Sequence, residues 1–141
     1  MLYKGLIRQV TNLPVDFMIE KWLYEVYPNL REYQFKSLKK QADESVAALS
    51  NEVRKITPQK LYNVSNIFNY AYLRLLGFHI DYNFVRPYNG TEFLKPGKKL
   101  AERTKREQED SFLGDIRIIN TWAEIAGIQK WFEWVNFEIN N

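Results

Sequence analysis

Six basic residues fall within twelve positions, Lys95, Lys98, Lys99, Arg103, Lys105 and Arg106, and Glu102 is the one acid among them. Lysine and arginine at this density neutralise phosphates, so the chemistry this stretch offers is an electrostatic grip on nucleic acid. A helix from Lys98 to Asp110 brings Lys99, Arg103 and Arg106 within about 60° of one another around its axis. Four acids follow without an intervening base: Glu107, Glu109, Asp110 and Asp115. The other side of such a helix carries only Leu100, Ala101, Thr104 and Gln108, which leaves it little to bury. Its charge order, bases first and acids last, also opposes the helix dipole. Local stability does not favour this arrangement, so the segment is expected either to be a loose charged stretch or to meet an anionic partner. Lys36, Lys39 and Lys40, with Arg54 and Lys55, add basic spots that Asp43, Glu44 and Glu52 interrupt.

The residues that support catalysis are sparse. His79 is the single histidine, and there is no cysteine, so a Ser-His-Asp relay or a histidine-rich metal site would have to be built around one imidazole. No glycine-rich phosphate loop occurs among the six glycines. Asp81, Glu92 and Lys95 match the residue types of a metal-dependent nuclease, but a hairpin pairing Pro87 with Glu92 would hold the two acids about 20 Å apart. The acids from Glu107 to Asp115 lack the regular spacing and the glycine of a calcium loop. No metal or cofactor is expected, and the chain reads as a binding protein without catalytic machinery.

Aromatic residues make up 16% of the chain and offer a second kind of surface. Tyr82, Phe84, Tyr88 and Phe93 would share one face of a hairpin, either stacking bases or packing on helices. Trp122, Trp131 and Trp134 read as core residues or as anchors of a subunit interface. Trp131 and Trp134 are therefore candidates for a protein-protein or homo-oligomer contact, the first alternative to nucleic acid, with a small enzyme of unknown type as the third reading.

The elements that must position these residues follow from periodicity. Residues 1–11 suit strand or helix. Pro14 opens a helix with Val15, Met18, Ile19, Trp22, Leu23 and Val26 toward the core, stopped by Pro28. A second helix carries Leu30, Tyr33, Leu38, Ala42, Val46, Leu49, Val53 and Ile56, its spacing slipping after Tyr33. Thr57 and Pro58 open a third, with Leu61, Val64, Phe68, Ala71 and Leu75 on one side and Gly77 at its end. Phe78, Ile80, Tyr82 and Phe84 then alternate with polar residues and Asn89-Gly90 follows, which predicts an antiparallel hairpin. A fourth helix with Phe112, Ile116, Ile119, Ala123 and Ala126 ends at Gly127. Beyond it, a short helix around Ile128 and Trp131 is expected to pass into a strand through Val135, Phe137 and Ile139.

These elements amount to one α+β domain over 1–141, mostly helical with a small antiparallel hairpin or sheet. At 141 residues and 45% hydrophobic content the chain has material for one core. Its net charge of +3 points only weakly to anionic partners. Lys4, Arg8 and Asp16 interrupt the apolar N-terminal residues, and no run approaches membrane-spanning length, so a soluble cytoplasmic protein with no membrane partner is expected.

Overall fold

The computed structural model of the chain describes residues 2–136. Six α-helices follow in order: α1 (Leu2–Val26), α2 (Arg31–Ala47), α3 (Asn51–Ile56), α4 (Gln59–Ile80), α5 (Leu94–Glu107) and α6 (Phe112–Ile125). Single turns of 3-10 helix at Pro28–Leu30 and Arg86–Tyr88 precede α2 and α5. The described residues contain no β-strand, so the α+β expectation is replaced by an all-α fold. No helix among them is long and apolar enough to cross a membrane.

The helices α1, α4, α5 and α6 close a ring: α4 packs on α1 and α5, and α6 packs on the same two from the other side. Trp122 of α6 fills its middle, fully buried, with its ring centroid 5.2 Å from that of Phe68 on α4. Val10, Tyr70, Leu73, Leu76 and Leu100 complete the surrounding core, while α2 and α3 lie against α4 outside the ring. Phe68, Ala71 and Leu75 are buried, as their spacing predicts.

The hairpin fails for a local reason. Phe78, His79 and Ile80 are the last residues of α4, because Leu73, Leu76 and Ile80 carry the helical period straight past Gly77. Asp81, at φ 58°, turns the chain left-handed and donates its backbone N–H to the Gly77 carbonyl. The returning chain passes so close that a Cβ on Gly77 would lie 2.4 Å from the Tyr82 carbonyl oxygen. Gly77 thus admits the reversal without ending the helix. Asn89-Gly90 does form a turn, with Gly90 at φ 78°, but it joins a 3-10 turn to α5 and pairs no strands. Phe84, Tyr88 and Phe93 enter the helical core one by one, leaving no aromatic platform.

Two other boundaries move. The helix expected from Pro14 begins at Leu2 and runs through the proline, since Leu6, Val10 and Phe17 form a continuous buried stripe at spacings near the helical repeat. The second predicted helix breaks at residues 48–50, and not after Tyr33; there Ser50 caps α3 by accepting a hydrogen bond from the Val53 N–H at 3.3 Å. Beyond α6, Ile128 is buried and Trp131 donates its backbone N–H to the Ile128 carbonyl, without forming the expected helix. Val135 is exposed and irregular; Phe137 and Ile139 of the expected strand lie outside the described residues.

The contact that seats α5 on α4 depends on a missing side chain. A Cβ on Gly97 would meet the Tyr70 ring at 2.4 Å, and Tyr70 is itself buried edge-on against Tyr88, their centroids 5.6 Å apart. Gly97→Ala should therefore destabilise the protein by roughly 1–3 kcal/mol through overpacking, although alanine is the better helix former. Urea unfolding checks this: an unchanged midpoint would mean that Tyr70 gives way.

Candidate nucleic-acid interface

Helix α5 buries Gly97, Leu100, Ala101 and Thr104, spaced three and four residues apart, against α4 and α6. Thr104 is fixed further, donating its hydroxyl to the Leu100 carbonyl and accepting the Trp122 Nε1–H, each at 2.8 Å. The expectation that this segment has little to bury is therefore corrected: small residues let the helix approach closely and dock along its whole length.

The basic side points away from the core. Around the helix, Lys95, Lys99 and Arg106 cluster within about 40° of one another, opposite the buried stripe and with Glu102 beside them. Lys95 and Lys99 have no acidic partner within 4.0 Å among the described residues. Lys98 lies 4.0 Å from Glu102, and Arg106, 72% exposed, lies 3.7 Å from Glu107. The remaining two of the six are engaged on opposite flanks. Arg103 Nε reaches both carboxylate oxygens of Glu107, at 2.9 and 3.1 Å. Lys105 leans over the Phe78 ring at the end of α4, 4.7 Å from its centroid. The structure thus brings Lys95, Lys99 and Arg106 together and sets Lys98 and Lys105 to one side and Arg103 to the other.

The charge reversal along the segment has a structural explanation. Because α5 ends at Glu107, Arg103, Lys105 and Arg106 occupy its C-terminal end, where cations complement the dipole. Asp115 lies in the first turn of α6, which Ser111 caps by accepting the Gly114 N–H at 2.9 Å. The single helix of inverted polarity that the sequence predicts is the junction of two helices, and the end of α5 and the start of α6 each carry charges that complement the dipole. Lys95, Lys98 and Lys99, in the first half of α5 with no acid in its first turn, are the charges that local stability leaves unexplained.

Sequence reading missed Arg74. Its guanidinium lies 4.8 Å from the centroid of the same Phe78 ring, and its buried Nε has no hydrogen-bond partner. The signal was an Arg74–Phe78 pair one helical turn apart, hidden by assigning Phe78 to a strand. Of the other basic spots three residues are paired, Lys36 with Glu32 at 2.7 Å, Lys40 with Glu44 at 4.0 Å and Arg54 with Glu92 at 2.8 Å, while Lys39 and Lys55 have no acidic partner within 4.0 Å among the described residues.

Trp131 is half-buried beside Tyr3, whose hydroxyl donates to its carbonyl, and lies under the Lys60 ammonium, 5.1 Å from the ring centroid. Trp134 is half-exposed and donates its Nε1–H to Asn120 Oδ1 at 2.8 Å. Among the described residues no three His, Asp or Glu side chains converge to hold a metal ion.

His79 packs edge-on against Tyr24, with Nε2 3.7 Å from Glu25. Burial pushes the imidazole below its ordinary value of 6.5, and the Glu25 carboxylate offsets this only in part. With the folded value depressed, the neutral ring contributes stability above pH 6.5 that is lost as pH falls through the folded value. Urea midpoints measured from neutral to acid pH should begin to decline near pH 6.5, and His79→Gln should flatten the decline.

No family model, curated protein or solved structure matches the chain.

Proposed function

We propose that the protein binds nucleic acid through α5, with Lys95, Lys99 and Arg106 engaging successive phosphates and Lys98, Arg103 and Lys105 flanking them. The observation that carries this reading is the docking of the opposite side of the helix, which holds the outward charges in a line about 16 Å long without an ordering step on binding. None of the six bases reads a base edge on these grounds, so the expected recognition is of backbone charge and tolerant of sequence. The test is fluorescence anisotropy with labelled single strands and duplexes of unrelated sequence across a salt series. Affinity should fall linearly in log-log form with salt and vary little between sequences. Absence of binding at low salt would overturn the proposal.

A second reading rests on the outer side of α1. Ile19, Trp22 and Val26, expected in the core, are instead about half exposed, Trp22 at 50%. A groove of about 320 Å³ separates this side from Asp110 and Asp115, which flank the exposed Phe112 and Leu113. Exposed apolar side chains on both sides of a groove suit a protein partner or self-assembly. Light scattering on the sample used for anisotropy separates the self-assembly form of this reading from the first.

A further inference from the structure

A cleft of about 710 Å³ opens between α1, α3 and the first turns of α4. That volume lies within the range of about 300–1,000 Å³ usual for small-molecule sites. Its walls are mainly apolar, built from Leu13, Val53 and Leu61, all packed against the core. Arg8 and Asp16, the only lining residues charged at neutral pH, oppose one another in sign, so the cleft favours neither anion nor cation.

Two features of the cleft are unexplained by the fold. Asn66, only 1% exposed, lines it, and its Oδ1 has no hydrogen-bond donor. The amide orientation is fixed, because Nδ2 donates to the Tyr62 carbonyl at 2.9 Å and a flip would set two carbonyl oxygens together. Two other polar side chains of the cleft are occupied: Gln9 Nε2 donates to the Ser65 carbonyl and to Asn69 Oδ1, and the Tyr62 hydroxyl donates to the Leu49 carbonyl. A buried acceptor without a donor is unfavourable, and a ligand that supplies the donor removes that penalty.

The second feature is Gly5. It lies inside α1, where glycine is a poor helix former, yet a Cβ there would meet nothing within 4 Å and its backbone is not left-handed. No packing constraint calls for glycine. Its bareness leaves the cleft open.

We propose that this cleft binds a neutral, largely apolar small molecule carrying one N–H or O–H donor, which Asn66 Oδ1 accepts. The inference is independent of α5 and of nucleic acid.

The test uses the full chain, with indole and 1-methylindole as probes; they share a bicyclic body and differ in the donor. In 15N–1H NMR titrations at matched concentrations, indole should shift amides between Gly5 and Asp16 and between Val53 and Asn66, together with the Asn66 side-chain amide. It should bind at least about fivefold more tightly than 1-methylindole, as a donor to a buried acceptor implies. Asn66→Leu should bring the two probes to similar affinity, and Gly5→Leu should abolish both while leaving the helical circular dichroism unchanged. No shifts at the cleft, shifts only near Trp22, equal affinity of the two probes for the parent protein, or full binding by Gly5→Leu would each overturn the proposal. The comparison of probes on the parent protein needs no variant, so failure of Asn66→Leu to fold leaves the test intact.

Discussion

Replacing Lys95, Lys99 and Arg106 together with glutamine should weaken nucleic-acid binding by roughly a hundredfold near 0.15 M salt. Each phosphate contact on duplex contributes about 0.9 to the slope of log affinity against log salt, so losing three flattens it by about 2.7, and the difference between variant and parent shrinks toward 1 M salt. Arg103→Gln alone should do far less, because that guanidinium is already held by both oxygens of Glu107. Folding stability should change by no more than about 1 kcal/mol, since the three side chains are exposed charges. Anisotropy titrations at three salt concentrations, with urea unfolding of the same variants, measure both. An unchanged slope in the triple variant would remove α5 from the binding surface even if the protein binds nucleic acid elsewhere.

Trp122→Ala should cost about 3–5 kcal/mol, the range for emptying a large aromatic site in a core. At the low end of the typical domain stability of about 5–15 kcal/mol, that leaves a measurable fraction unfolded near body temperature. The indole touches Phe68 of α4 and hydrogen-bonds Thr104 of α5, so its loss opens the ring of helices at the point where three of them meet. Thr104→Val keeps the shape but strands the indole N–H, and should cost about 1–3 kcal/mol. In the Thr104→Val, Trp122→Phe double variant no indole N–H is left to strand, so its loss should be smaller than the two single losses combined. Urea denaturation of the four proteins gives the cycle, and strict additivity would mean that the hydrogen bond adds nothing.

The charge pattern of α5 was legible because lysines and arginines declare themselves whatever they pack on. Its anchorage was not, because Gly97, Ala101 and Thr104 look like an absence of apolar surface when they are what permits close approach to Tyr70 and Trp122. In α1 the sequence offers two apolar stripes. A helix opened at Pro14 favours the stripe through Ile19, Trp22 and Val26, while the buried one, Leu6 to Phe17, runs across the proline. Alternation over Phe78–Phe84 was too short to exclude the end of a helix, and Asn89-Gly90 serves a loop as readily as a hairpin. Trp122 was legible as a core candidate, and the α4 stripe was correct. The cleft beside Asn66 could not be anticipated, since its walls come from segments about fifty residues apart that only the packing of α1 on α4 brings together.

The ring of helices also sets an order of events during synthesis. Helix α1 is made before the other five but packs on both α4 and α6, so part of its buried side has no permanent cover until the last helix of the ring is made. A ribosome adding about 5–20 residues per second leaves Leu6, Val10 and Phe17 waiting for several seconds while α2 to α5 appear. During that interval α1 and α4 can pair and shelter most of the stripe, and the arrival of Trp122 then locks a half-formed bundle rather than nucleating a new one.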